Sequence, residues 1–265
     1  MLMLFQYDFM RKAFIVGILL AVIVPCIGMI IVLRRLSMTG DALSHTSLAG
    51  VAIGLVTGMN PILSASITCI LAAFGIEFIR KRFPKYSEIS IAVIMSAGVG
   101  LAGLMSGFVK NAANFNSFLF GSIVAITKFE MYLVIGISLL VIIIFVLLYK
   151  ELVHMAFDED SAKLSGIPVN VINIIFTLLT ALTVSVASRT VGALIVSSLM
   201  VIPVACGMQF GKSFKQTLLI SVFFAVLFTA AGLTLSFYFG LKPGGTIVLT
   251  GVITLLLSIL LKRRH

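Results

Sequence analysis

The chain has 265 residues, of which 60% are hydrophobic and only 11% charged, with a mean hydropathy of +1.22. That balance excludes a soluble domain and fits a polytopic membrane protein, whose apolar side chains face both lipid and one another. The net charge of +10 does not indicate a nucleic-acid binder, because Lys and Arg fall in short clusters between apolar runs and form no continuous basic patch.

A membrane-crossing helix needs about 20 predominantly apolar residues. Windows of that size predict spans near 13–33, 41–58, 61–79, 88–108, 128–149, 168–187, 190–208, 215–239 and 244–261. The expected fold class is all-α: one transmembrane helix bundle over residues 1–265, with eight or nine spans. Asp8, Arg11 and Lys12 precede the first run with no small-residue cleavage site after it, so that run reads as a retained span and not a removed signal peptide.

The second run opens with Thr39-Gly40-Asp41-Ala42-Leu43-Ser44-His45. An ionisable residue at membrane depth costs roughly 2.5–3.5 kcal/mol on insertion scales and therefore demands a partner or a task. Asp41 and His45 are one helical turn apart and project from one face. A carboxylate and an imidazole are ligands that a divalent transition metal accepts. The bland alternatives are an ion pair of Asp41 with Arg34 or Arg35 and a helix-to-helix hydrogen bond of His45. Two protein ligands are fewer than the four of a stable structural zinc site, and weak binding suits an ion that must also leave. Water, Ser44 or the same pair from a second copy could complete the shell. Gly50, Gly54 and Gly58 lie on nearly the opposite side of that helix, a doubled GxxxG that lets another helix approach closely.

Further along, Gly103 and Gly107 form another GxxxG, read as packing, and Phe115 to Ile126 is too short to cross and reads as a re-entrant or interfacial helix. Between the fifth and sixth runs stand Phe157, Asp158, Glu159, Asp160, Ser161, Ala162, Lys163, Leu164, Ser165 and Gly166, followed by Pro168. An acidic first turn, a glycine stop and a proline restart mark a short capped helix at the membrane surface. Pro203 should kink or end its helix. Gly207-Met208-Gln209-Phe210-Gly211-Lys212-Ser213 approximates a phosphate-binding loop but has one residue too few between its glycines. No catalytic motif is present, so the chain is expected to be a transport subunit and not an enzyme. Cys26, Cys69 and Cys206 stand alone in apolar runs and read as buried small hydrophobes; His154 and His265 read as solvated.

Lys and Arg accumulate in short cytoplasmic loops. With the loop after the first run placed inside, 13 of the 19 basic residues lie on that side and 6 on the other, which puts the C-terminus in the cytoplasm and the short helix at 157–166 on the cytoplasmic face.

Four separated segments carry a family resemblance. Gly40-Asp41-Ala42-Leu43-Ser44-His45-Thr46-Ser47-Leu48-Ala49-Gly50-Val51-Ala52, Leu119-Phe120-Gly121-Ser122, Val191-Gly192-Ala193-Leu194-Ile195-Val196 with Val201-Ile202-Pro203, and Pro243-Gly244-Gly245-Thr246-Ile247-Val248-Leu249 resemble, in order and spacing, the membrane permeases of bacterial zinc and manganese ABC importers. The resemblance implies a homodimer in the bacterial cell membrane, joined to cytoplasmic ATP-binding subunits and loaded by an extracytoplasmic metal-binding protein. It further implies that Asp41 and His45 coordinate the metal in transit, that Phe157 to Gly166 is the coupling helix on the ATPase, and that no cofactor is permanently bound. Ala49 stands where many manganese members look as if they carry proline, which favours Zn²⁺ as the cargo over Mn²⁺. A self-sufficient secondary metal transporter or channel, and a permease for an iron-siderophore or cobalamin, are the competing readings.

Overall fold

The structure, a computed structural model, describes residues 6–83, 86–109, 115, 118, 119, 121, 126–193 and 195–262. The helix expected over 115–126 falls largely outside the described residues, as do Lys85, Lys110, Phe120, Ser122, Leu194, Arg263, Arg264 and His265. The described chain is all-helical. In order it forms α1 (Asp8–Leu33), α2 (Thr39–Thr57), α3 (Pro61–Arg82), α4 (Ser87–Ser106), α5 (Lys128–Leu147), α6 (Tyr149–Phe157), α7 (Glu159–Leu164) and α8 (Val169–Ala187). A π-helical turn (Ser188–Gly192) follows, then α9 (Val196–Phe210), α10 (Phe214–Phe239) and α11 (Pro243–Lys262).

Among the described residues seven helices are long and apolar enough to cross a membrane: α1, α3, α4, α5, α8, α10 and α11. The 19-residue α2 and the 15-residue α9 complete the bundle. The span expected at 190–208 is therefore not one continuous helix. The π turn ends at Gly192, whose φ of 107° leaves the helical region, and α9 restarts at Val196 with a length of only about 22 Å. Within α9 the helix continues through Pro203, which neither ends it nor starts it.

Local chemistry sets the helix ends. The Asn60 side chain accepts hydrogen bonds from the Ile62 and Leu63 amides, with Pro61 at the first helical position of α3. Thr127 and Glu130 make a reciprocal capping box on α5. Gly58 and Gly240 close α2 and α10 in the left-handed region. α1 ends differently, on the left-handed Arg35 (φ 57°): the Leu36 amide donates to the Ile31 carbonyl (2.9 Å) and the Arg35 amide to that of Val32 (3.0 Å), a Schellman closure.

α1 is the central mast. Val16, Leu20, Ile23, Ile27 and Ile30 are buried along it, and it packs on α10, α9, α5 and α8. Its Gly28 lies against the Met200 carbonyl of α9, a contact that no side chain at 28 would permit. α2 packs on α3 and α4. Gly50 and Gly54 receive α3, with Ala65 Cα 2.7 Å and Pro61 Cα 2.9 Å from where a Cβ would stand, as the glycine face predicts. Gly58 does not join that contact, because it serves as the cap and faces open space. The GxxxG at Gly103 and Gly107 also fails as an internal packing motif, since a Cβ at Gly103 would meet nothing. Large apolar side chains stand exposed on α4 and α5, among them Leu101, Leu104, Ile143 and Val146, a surface at no disadvantage in lipid.

Candidate functional site

α2 is enclosed on most sides. α3 covers the glycine face, α4 covers Thr46, and Gly40 approaches Ser197 and Met200 of α9. Ser47 Oγ lies 2.7 Å from Ser188 Oγ at the π turn. What remains is the face of Asp41 and His45, both half-buried. Among the described residues neither side chain has a hydrogen bond or ion pair. The ion pair of Asp41 with Arg34 is excluded, because Arg34 is engaged elsewhere: its Nη2 donates to Glu159 Oε2 (2.6 Å) and its Nη1 to Asn173 Oδ1 (2.7 Å).

The depth of the pair follows from its neighbours. Gly98, near the midpoint of α4, is so close to α2 that a Cβ there would stand 2.7 Å from Thr46 Cγ2 and 3.2 Å from the His45 carbonyl carbon. His45 is thus level with the middle of α4, and Asp41 is one turn nearer the Arg34 end. One turn away, Ser44 Oγ is buried without a hydrogen-bond partner, as is Thr39 Oγ1, and an orphan hydroxyl is itself a free ligand. Among the described residues no three His, Cys, Asp or Glu side chains converge to hold a metal ion. The chain alone therefore offers one carboxylate, one imidazole and a hydroxyl on adjoining faces of one helix.

The two ends of the bundle close differently. Beyond His45, on the side away from Arg34, Leu48, Ala49, Val51, Ala65, Ala102, Phe118 and Ala193 form a small apolar cluster. The Ala193 amide donates to the Phe118 carbonyl (2.9 Å), so main chain as well as side chains ties the segment after the π turn to Phe118. At the Arg34 end, a cavity of about 40 Å³ reaches Thr39 and Leu43 on either side of Asp41. A second cavity of about 570 Å³ opens outward and is lined by Arg35, Lys81, Phe157, Glu159 and Lys163. Both cavities share Arg34, Leu36, Glu77 and Arg80, which form the partition between them. Burial lowers the pKa of Arg34, the neighbouring Arg80 adds to that, and Glu159 and Glu77 oppose it; a guanidinium stays charged throughout.

The surface segment forms two helices. Phe157 ends α6, and Asp158 caps α7 by accepting from the Asp160 and Ser161 amides. Gly166 follows in the left-handed region at φ 81°. Phe157 (68% exposed) and Leu164 (91% exposed) project from this segment. His154, expected to be solvated, lies 3.4 Å from Ser161 Oγ and links α6 to α7. Gly207 and Gly211 of the false phosphate loop are packing glycines, set against Thr217 of α10. The cysteines are unpaired, and Cys69 and Cys206 are buried. Arg34 and Glu159 are 125 residues apart, and no local sequence pattern announces their pairing.

The family model of the ABC 3 transport family matches residues 6–262. A probable metal transport system membrane protein of Treponema pallidum is 36% identical over 97% of this chain and 96% of its own length. The manganese transport system membrane protein MntC of Listeria monocytogenes is 30% identical over 97% of this chain and 92% of its own. Among solved structures, PsaBC from Streptococcus pneumoniae in complex with Fab superposes with a TM-score of 0.86 and 28% identity, covering 96% of this chain and 92% of that one. An inward-facing putative metal-chelate type ABC transporter shares the fold, with a TM-score of 0.71 and 14% identity over 94% of this chain and 85% of that one. An all-helical, multi-pass membrane chain matched over nearly its whole length in this way belongs to the ABC 3 transport family.

Proposed function

We propose that this chain is the membrane permease of an ATP-driven importer of divalent transition metal ions, working as a homodimer with Asp41 and His45 as ligands of the ion in transit. The observation that carries the reading is the pair itself: two ionisable side chains without partners among the described residues, level with the middle of α4, on a face of α2 that those residues leave half-open. Across a two-fold axis a second copy would bring the donor set to two carboxylates and two imidazoles. Such a set accepts Mn²⁺, Fe²⁺ or Zn²⁺.

Manganese is the favoured cargo, with zinc second. MntC of Listeria monocytogenes and ScaB of Streptococcus gordonii are both named for manganese. The zinc expectation rests on Ala49, which is 1% exposed inside the Phe118 cluster. ATP hydrolysis belongs to a cytoplasmic partner subunit. Phe157 to Gly166, with Phe157 and Leu164 presented outward, is the segment that docks on it. The Arg34 end and the C-terminus then face the cytoplasm, and an extracytoplasmic metal-binding protein delivers to the Phe118 end.

The test is metal accumulation in cells lacking the chain and complemented with wild type, Asp41→Ala or His45→Ala, with Mn²⁺, Zn²⁺ and Fe²⁺ measured side by side. Wild type restores manganese, and both variants lose at least about tenfold of it while remaining in the membrane at normal level. Normal uptake by either variant would remove the pair from the mechanism. Gradient-driven flux through the purified chain in liposomes without any ATPase would favour a secondary carrier instead.

A further inference from the structure

Arg34 is the C-cap of α1, yet its guanidinium is spent on two other elements. It donates to Glu159, the first residue of α7, and to Asn173 of α8, which is buried. These are charge-assisted bonds made through a planar fork, whose geometry a flexible ammonium would not reproduce. The Arg34 side chain is 10% exposed and Glu159 36%, so the contact lies at the inner edge of the outer cavity and not on an open surface.

The backbone on the other side of Arg34 is equally constrained. The Schellman closure fixes Arg35 and Leu36. The Thr39 amide then donates to the Leu36 carbonyl (2.9 Å) and the Ala42 amide to that of Met38 (3.1 Å), so main-chain hydrogen bonds lead from the end of α1 into the first turn of α2. Asp41 lies in the first turn of α2. One side chain and one hydrogen-bonded turn therefore connect α7 to the helix that carries Asp41 and His45. Arg34 also stands in the partition between the two cavities, and Glu77, itself paired with Arg80 at 2.6 Å, is near enough to act on its charge.

We propose that Arg34 is a positioning residue that ties α7 to the start of α2: movement of α7 is delivered through the Glu159–Arg34–Asn173 contact to the metal-bearing helix and, by the same displacement, to the partition below Asp41. The inference rests on the permease reading above, in which α7 receives the motion of the ATPase.

The test uses the chain assembled with its ATP-binding subunit in proteoliposomes, reading Mn²⁺ uptake and phosphate release in parallel. In Arg34→Gln and in Glu159→Gln, ATP hydrolysis persists while uptake per ATP falls about fivefold or more. The second variant removes only the more exposed partner, so it serves if the first fails to assemble. The double exchange Arg34→Glu with Glu159→Arg recovers much of the ratio lost in Arg34→Glu alone, because the charges again oppose and the Asn173 amide turns to donate. Unchanged uptake per ATP in both single variants, or an exchange no better than Arg34→Glu, overturns this positioning role. Absence of ATP-driven uptake in the wild-type assembly is a different failure, that of the permease reading itself.

Discussion

The two ends of α2 are held by opposite kinds of chemistry. Toward the Phe118 end, apolar side chains pack into a cluster and the Ala193 amide bonds the Phe118 carbonyl. At the Arg34 end, a guanidinium, a carboxylate and an amide link three elements, the end of α1, α7 and α8, across the rim of an open cavity. An apolar cluster gains from excluding water and is indifferent to which hydrophobic atoms touch. An ionic link is directional and can exchange partners without a large change in buried area. The difference suits a carrier in which one end responds to a neighbouring subunit and the other only opens or shuts.

Substitutions can break or sharpen this contrast. The largest effect is expected at the apolar end, where Phe118→Ala should lower stability in detergent by about 3 kcal/mol, the usual scale for a buried aromatic, read as a lower thermal midpoint. A leak of metal should accompany it in liposomes. Next comes the shared middle. At Gly98→Ala the new methyl meets Thr46 at 2.7 Å, and overpacking of this kind costs about 1–3 kcal/mol. Uptake should fall with it, because His45 is displaced. A wild-type midpoint in either variant would show that the packing is looser than these contacts. Smaller again is Ser47→Ala, which removes the bond to Ser188; interhelical hydrogen bonds within membranes average about 0.6 kcal/mol. Smallest is Lys163→Ala at the ionic end. Its pairs with Glu159 and Asp160 are solvent-exposed, so a loss above about 0.5 kcal/mol would contradict their screening.

Much of this architecture could be read in advance, and the exceptions share a cause. Composition and run length announced the bundle, and the spans at 61–79 and 215–239 lie within α3 and α10. The four-residue spacing placed Asp41 and His45 on one face, and Asp158 with Gly166 framed α7 correctly because caps act over a few residues. The π turn escaped notice. Ser188-Arg189-Thr190-Val191 contains no breaker, and the interruption shows only as the φ of Gly192. Gly58 was read as a packing glycine because the repeat continues to it, whereas its backbone conformation assigns it to the helix end. The Arg34–Glu159 contact was invisible for the simplest reason: pattern reading is local, and that pair is made by the fold.

The irregular backbone between α8 and α9 has a consequence for where lipid can go. Acyl chains offer nothing to an amide or carbonyl outside a helix, so such backbone survives in a membrane only where protein or water covers it. Ser188, Val191 and Ala193 are buried in this way. These three residues therefore mark an interior withdrawn from acyl chains, and a lipid-soluble photoreactive reagent should label the outer faces of α4 and α5 while sparing Ser188, Val191 and Ala193.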